Sequence, residues 1–191
     1  AERRMTEAML RTLGAAATAT AYAALCLAVY TRQRRQRTAA VREAAALSTD
    51  SATPTTLVLF ASQTGQAETI AWQTARQLRA AGTSVRVMEL NALDAATLGS
   101  ADRALFVAST YGEGDAPDGA SVFAERVMAS PVALTSLRYA VLALGDRQYK
   151  NFCGFGRVLD AWLHAAGAKR DFECIEVDNS DPTALAAWKA R

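Results

Sequence analysis

Three short segments of this 191-residue chain carry groups that could bind a phosphorylated ligand with a planar ring. The first, SQTGQAE, places hydroxyl groups at Ser62 and Thr64, on either side of Gln63, ahead of a flexible turn at Gly65. Such hydroxyls, together with unpaired amides at the start of a helix, can bind a phosphate dianion without Lys or Arg. The same hydroxyls could instead cap the helix near Glu68, and the segment alone leaves both interpretations open.

The second segment, STYGEGDAPD, combines the aromatic side chain of Tyr111 with the glycines Gly112 and Gly114. Glycine lets the backbone approach a ligand closely, and Tyr111 offers a flat face to a planar ring. An acidic surface turn with an incidental tyrosine is the alternative interpretation.

The third segment, LGDRQYKNFCG, carries a glycine at Gly145 and a second aromatic side chain at Tyr149. Two tyrosines on adjacent loops could enclose a planar ring between them. Cys153 is expected to be a small packing residue, because the sequence supplies no nearby base that would activate its thiol.

Other kinds of site are disfavoured. The chain has neither GxxxxGK[ST] nor GxGxxG, which argues against a nucleoside triphosphate site or an ordinary dinucleotide site. Cys26, Cys153 and Cys174 include no CxxC pair, so the sequence suggests no disulfide framework, zinc site or iron–sulfur site. His164 is the single histidine, which argues against a catalytic triad, and we expect it on a helix surface. We therefore assign no catalytic residue and no metal ligand.

The order of apolar runs indicates how these segments are positioned. From residue 56 onward, short apolar runs alternate with helical patterns, which is typical of βαβ units and a parallel sheet. Strands are predicted at 56–61, 85–90, 103–109, 139–144 and 174–177. Helices are predicted at 67–81, near 95, at 121–129, at 155–167 and from 183. The three segments follow the first, third and fourth strands, where a doubly wound sheet binds its ligands.

A region of different character precedes this domain. No charged residue occurs between Arg11 and Arg32, and residues 12–31 would span roughly 30 Å as a helix, enough for one membrane crossing. A signal peptide, or an Ala-rich amphipathic helix of a neighbouring domain, is the alternative. A basic flank resembling a stop-transfer signal follows at Arg32, Arg34, Arg35 and Arg37.

By the positive-inside rule, this flank predicts a single-pass membrane protein whose following domain faces the cytoplasm. We expect an anchor over residues 1–37, a linker over 38–55 and a folded domain over 56–191. Residues 1–52 carry eight Arg against four acidic residues, whereas residues 53–191 carry thirteen basic against fifteen acidic residues. The folded part thus has no basic excess, which argues against nucleic acid as a partner.

The three segments resemble the FMN domain of the diflavin reductases, such as sulfite reductase flavoprotein and the microsomal cytochrome reductases. The resemblance covers roughly residues 56–191 and rests on SQTGxAE, STYGEGDxPD and LGDxxYxxFC, in that order, after predicted strands. It implies an α/β, flavodoxin-like, doubly wound five-stranded parallel sheet of order 2-1-3-4-5, with FMN as the cofactor.

The resemblance also implies residue roles. Tyr111 and Tyr149 would flank the isoalloxazine, and Gly112 would supply a backbone carbonyl near flavin N5. Relatives often have Thr where this chain has Gln66, so one hydroxyl contact to the phosphate would be replaced by an amide or lost. The loop expected around the phosphate comprises Ser62, Gln63, Thr64, Gly65, Gln66 and Ala67. The other expected contacts are Ser109, Thr110, Glu113, Gly114, Leu144, Gly145, Asn151, Phe152, Cys153 and Asp178.

The function implied by the resemblance is electron transfer. In the family, NADPH reduces an FAD in a separate domain, the FAD reduces FMN, and FMN passes single electrons to a haem or another acceptor. No segment here matches an NADPH or FAD site, so we expect a reductase domain after Arg191 in a longer parent protein. A free-standing membrane-anchored flavodoxin shuttle is the first alternative, and a non-redox interaction module with the same fold is the second.

Overall fold

The computed structural model of the chain describes residues 56–191. The predicted anchor over 1–37, its span over 12–31 and the linker over 38–55 lie outside the described residues, as does Cys26. Within residues 56–191, every helix is too short or too polar to cross a bilayer.

A parallel β-sheet forms the centre of the domain. Its strands are β1 (Thr56–Ala61), β2 (Val85–Glu89), β3 (Arg103–Ser109), β4 (Arg138–Gly145), β5 (Lys169–Arg170) and β6 (Ile175–Asp178). The strand order is β2-β1-β3-β4-β5, and β6 pairs with the later part of β4. The predicted order 2-1-3-4-5 is therefore confirmed, with β5 and β6 sharing the fifth position.

Two short strands, β5 and β6, occupy the fifth position of the sheet, where the sequence predicted one strand at 174–177. Asp171 directly follows β5, and its carboxylate accepts from Arg103 Nε and lies 2.8 Å from the Arg138 guanidinium. The chain then leaves the sheet edge and returns as β6. A two-residue strand followed by charged residues has no apolar run, so the pattern could not reveal β5.

Helices cover both faces of the sheet. They are α1 (Gln66–Ala80), α2 (Ala95–Gly99), α3 (Ser121–Phe123), α4 (Gly154–Ala165) and α5 (Pro182–Lys189), with 3₁₀ turns at Leu90–Ala92 and Asp118–Ala120. The predicted helix at 121–129 is instead α3 followed by a π-helical turn, Ala124–Met128. Hydrophobic periodicity does not distinguish the wider π turn from an α turn, which explains the difference. His164 is exposed on α4, as predicted.

The two faces of β3 show how the core is divided. Ala104 and Phe106 belong to a buried cluster that also contains Phe123 of α3 and Leu159 of α4. The opposite face is covered by α1, which packs on β1, β2 and β3. Strands buried on both faces read as continuous apolar runs, which is why β1, β3 and β4 were visible in the sequence.

The register brings the ends of four strands to one edge of the sheet. Ala61 pairs with Ala108, Ser109 with Leu144, and Gly145 with Asp178. The three segments singled out in the sequence therefore leave the sheet next to one another.

Candidate functional site

The loop between β1 and α1 has the geometry of an anion site. Ser62 Oγ accepts a hydrogen bond from the Gly65 amide at 2.9 Å, and Gly65 takes the left-handed conformation, with φ 92°. Within residues 56–191, no side chain caps the start of α1, so the capping interpretation is not observed. The uncapped amides of the first turn and the Ser62 hydroxyl proton can therefore donate to an anion. Ala67, in the same turn, is fully buried.

The loop after β3 folds back on itself as a tight hairpin. The amides of Tyr111 and Asp115 donate to each other's carbonyl oxygens, at 3.0 and 2.9 Å. Gly114 has φ 124°, a conformation that side chains with a Cβ rarely adopt. Tyr111 is 54% exposed, so its side chain is accessible to a ligand. Asn151 Nδ2 donates to the Glu113 carbonyl and ties the hairpin to the next loop.

The loop after β4 presents the second aromatic ring. Tyr149 is 50% exposed, and its amide donates to the Asp146 carbonyl at 3.1 Å. Phe152 in the same loop is buried, and the Arg147 guanidinium lies 4.8 Å from the centroid of its ring. A Cβ on Gly145 would lie 2.7 Å from the Cys153 amide nitrogen, so the close turn here requires glycine.

Cys153 is a packing residue, as the sequence predicted. Its side chain is fully buried, and Sγ donates to the Ala143 carbonyl at 3.2 Å. Burial raises the pKa of this thiol to about 12, so it is neutral and unreactive at ordinary pH. Because Cys153 has no exposed surface, it does not offer the ligand contact that the resemblance implied, and it packs under the described loops as a core residue.

Asp178, which the resemblance implied as a flavin contact, is the last residue of β6 and lies beside the loop that carries Tyr149. Its Oδ1 accepts from the Arg147 amide at 3.0 Å, and its Oδ2 lies 3.6 Å from Arg147 Nε. The neighbouring Asn179 amide donates to the Gly145 carbonyl at 3.0 Å. Asp178 therefore orders this loop through its own contacts.

Two glutamines of the first loop make contacts that the sequence did not predict. Gln63 Nε2 donates to Asp118 Oδ2 at 3.3 Å, and the Asp118 amide donates to Gln63 Oε1 at 3.1 Å. Gln66 Nε2 donates to Ser180 Oγ at 2.6 Å. Asp118 and Ser180 are distant in sequence from the first loop, so no local signal could have paired them with it.

One buried hydroxyl at this edge lacks a protein partner. Thr110 directly precedes Tyr111, and its Oγ1 atom is buried and has no hydrogen-bond partner among the described residues. Leaving such a group unsatisfied costs about 1–3 kcal/mol, so a polar ligand group at this position would offset that cost. Together with the uncapped α1 and the two open tyrosine rings, this hydroxyl fits a ligand that is both polar and planar.

These features define a class of protein. The chain folds as a doubly wound α/β domain, and its three loops surround the point where the strand order reverses between β1 and β3, the usual ligand position in such sheets. A separate apolar cavity at the other end of α1, lined by residues such as Leu78, Phe172 and Trp188, includes none of these loops.

Comparison with known proteins identifies the family. The flavodoxin family model matches residues 58–188. The alpha-component of the NADPH sulfite reductase flavoprotein of Neisseria meningitidis is 38% identical over 135 residues, covering 70% of this chain and 22% of that protein. Its counterpart in Shewanella sp. is 38% identical over 148 residues, covering 76% of this chain and 24% of that protein. This chain thus spans about a quarter of the length of these relatives.

Solved structures agree with the family model. A flavodoxin from Streptococcus pneumoniae TIGR4 superposes with a TM-score of 0.64 at 31% identity, covering 71% of this chain and 93% of that one. Oxidised flavodoxin 1 of Bacillus cereus gives a TM-score of 0.62 at 26% identity. The chain belongs to the flavodoxin family. Flavodoxins are the standard example of FMN bound at this reversal of strand order, and FMN is the cofactor of this domain.

Proposed function

We propose that this chain is the FMN-binding electron-transfer module of a membrane-associated, NADPH-dependent diflavin reductase. It takes electrons from an FAD/NADPH domain of the same parent protein and passes them to a haem or another one-electron acceptor. The observation that carries this proposal is the pair of half-exposed tyrosines on adjacent loops, because a site between them stays open to a partner's redox centre. The sulfite reductase relatives support NADPH as the electron source.

The residues have distinct tasks in this proposal. Ser62, Thr64 and the uncapped amides of α1 hold the phosphate, and Tyr111 and Tyr149 flank the ring system. The Gly112 carbonyl lies in the hairpin that would face the ring edge. When bound, FMN exchanges electrons singly or in pairs, and the protein sets its orientation and electrostatics.

The charge of the hairpin contributes to this tuning. Glu113 and Asp115 are exposed beside Tyr111, and like charges disfavour further negative charge nearby. These carboxylates would make it harder to add a second electron to the ring without a proton. They also suit a docking partner with a basic surface.

A redox titration of the 191-residue chain in detergent tests the central claim. The chain should bind FMN stoichiometrically, quench its fluorescence, and show two separate one-electron potentials. Once reduced, it should transfer electrons to cytochrome c, used as a haem probe, in single-electron steps. A chain that leaves FMN fluorescence unchanged would refute the redox function and support the non-redox interaction module.

The proposed anchor requires its own test. Residues 12–31 are proposed to cross the membrane once, with the flavodoxin domain in the cytoplasm. The chain should then stay in the pellet after alkaline carbonate extraction, and Ala24→Arg should release it by placing a charge mid-span. Protease added to intact spheroplasts should spare residues 56–191. Release of the unmodified chain by carbonate, or digestion of the domain from outside, would overturn the anchor or its orientation.

The solved flavodoxins favour a second candidate, a free-standing shuttle, because the match covers 93% of the pneumococcal protein. An antibody against the domain, applied to cells of the source organism, separates the two. A band large enough only for a membrane anchor and a flavodoxin domain would support the shuttle. A band several times larger would support the diflavin reductase.

A further inference from the structure

The first turn of α1 contains a side chain for which the resemblance left two alternatives, an amide contact to the phosphate or the loss of that contact. Gln66 occupies a position where FMN-binding relatives often have a phosphate-contacting Thr. Its amide nitrogen instead donates to Ser180 Oγ at 2.6 Å, across 114 residues of sequence. The Gln66 side chain is thus directed to the loop between β6 and α5.

That loop has an unfavourable backbone. Asn179 and Ser180 both have positive φ angles, 43° and 68°, and consecutive left-handed residues with a Cβ are uncommon. Such a conformation persists when surrounding contacts fix it. Three hydrogen bonds fix it here. The Asp181 amide donates to the Asp178 carbonyl at 2.8 Å, and the Asn179 amide donates to the Gly145 carbonyl at 3.0 Å. The third is the hydrogen bond from the Gln66 amide nitrogen to Ser180 Oγ.

The same loop is joined to the Tyr149 loop. Asp178 accepts from the Arg147 amide at 3.0 Å, and Arg147 lies two residues before Tyr149. The contacts therefore run without a break from the start of α1, through the loop after β6, to the loop that carries one of the two exposed rings.

We propose that Gln66 is a positioning residue that holds the Tyr149 side of the FMN site through Ser180, and that it does not bind the phosphate. The phosphate is then held by Ser62, Thr64 and the α1 amides, and the glutamine contributes equally to any flavin, phosphorylated or not. This inference rests on FMN occupying the three loops, which the titration of the unmodified chain tests separately.

Riboflavin, which has the ring and the ribityl chain but no phosphate, separates the two roles. Dissociation constants for FMN and riboflavin would be measured on the 191-residue chain by fluorescence quenching. Gln66→Ala should weaken both ligands by the same factor, roughly 2- to 10-fold, the range expected for one hydrogen bond. Ser180→Ala should reproduce this effect, and the double variant should be no weaker than either single variant.

Two matched variants calibrate the measurement. Thr64→Val should weaken FMN alone, because it removes a phosphate donor and leaves the ring contacts intact. Gln66→Thr should weaken riboflavin as Gln66→Ala does but recover part of the FMN affinity, because it restores a hydroxyl near the phosphate. Far-UV circular dichroism confirms that each variant is folded.

Each result of these binding measurements leads to a different conclusion about Gln66 or the cofactor. A loss confined to FMN in Gln66→Ala would make Gln66 a phosphate ligand and overturn the proposal. Unchanged affinity for both flavins would overturn it as well, because the contact with Ser180 would then position nothing. If the unmodified chain binds neither flavin, it is the cofactor assignment that fails.

Discussion

Gly156 is the position at which a single methyl group should disturb both the fold and the site. It lies in the first turn of α4, where that helix packs on β4. A Cβ added to Gly156 would lie 2.3 Å from the Cβ of Ala143 and 3.0 Å from its Cα. Both atoms are fixed to backbone, so no side-chain rotation can relieve the contact, and α4 must move away from the sheet.

The size of the effect follows from these distances. Carbon atoms pack at about 3.5–4.0 Å, so the helix has to shift by more than about 1 Å. Overpacking of this kind costs about 1–3 kcal/mol, and this contact belongs at the upper end because neither partner is flexible. Replacing glycine by alanine in a helix returns about 1 kcal/mol. We therefore expect Gly156→Ala to lower the free energy of unfolding by about 2 kcal/mol.

Urea unfolding of the chain, followed by tryptophan fluorescence, measures this change. Gly99→Ala is the matched control, because it makes the same substitution in α2, where no described atom beyond the adjacent residues and the backbone of that helix lies within 4 Å of the added Cβ. That variant should gain about 0.5–1 kcal/mol. Since α4 starts next to Cys153 and the Tyr149 loop, Gly156→Ala should also weaken FMN binding, whereas Gly99→Ala should not.

A second substitution checks the assigned cause. Ala143→Gly removes the atom that the new methyl group meets, so the double variant should be more stable than the sum of the single effects predicts. The reasoning would be refuted if Gly156→Ala unfolded at the same urea concentration as the unmodified chain, or if the two substitutions were additive.

Three further predictions concern the site and the core. Tyr111→Ala should weaken FMN binding by about 10- to 100-fold, as for other stacked aromatic rings. Tyr111→Phe keeps the ring, so its affinity for FMN should stay near that of the unmodified chain. Equal losses of affinity in the two variants would argue against stacking. The pKa of Cys153 is raised from 9.0 to about 12 by burial, so the folded state keeps a proton that the unfolded chain loses. The contribution of this thiol to the free energy of unfolding should therefore be fully present below pH 9 and fall between pH 9 and 12, by up to about 1.4 kcal/mol per pH unit. Urea unfolding of Cys153→Ala should show a smaller fall over the same pH range. Trp188→Phe removes the buried hydrogen bond from the indole nitrogen to Thr74 Oγ1, 2.9 Å long, and should cost about 1 kcal/mol in urea unfolding; no change would mean that α5 docks through packing alone.

The sequence predicted most of the fold because its signals are local. The runs TLVLFA and RALFVAS matched β1 and β3 to the residue, since strands buried on both faces must be apolar throughout. Three loop segments followed the correct strands, and the topology then placed them at one edge. Short elements without a distinctive pattern, such as β5 and the π turn at Ala124–Met128, could not be found this way.

The sequence predicted which residues lie at the site, but it predicted fewer of the hydrogen bonds among them. Tyr111 and Tyr149 are exposed on neighbouring loops, and Ser62 and Gly65 form the expected turn. The sequence did not predict that Gln63 bonds to Asp118 or that Gln66 bonds to Ser180. The predictions of the anchor and the linker stay predictions.

The sequence by itself determined which residues are apolar, where turns are allowed and which loops carry hydroxyls, glycines and aromatic rings. These properties depend on neighbours within a few residues, so periodicity and turn chemistry reveal them. The tertiary structure alone decided that Gln66 contacts Ser180 and that Gly156 must be glycine. Those facts depend on distances between elements far apart in the chain, which are fixed only when the strands pair and the helices pack on them.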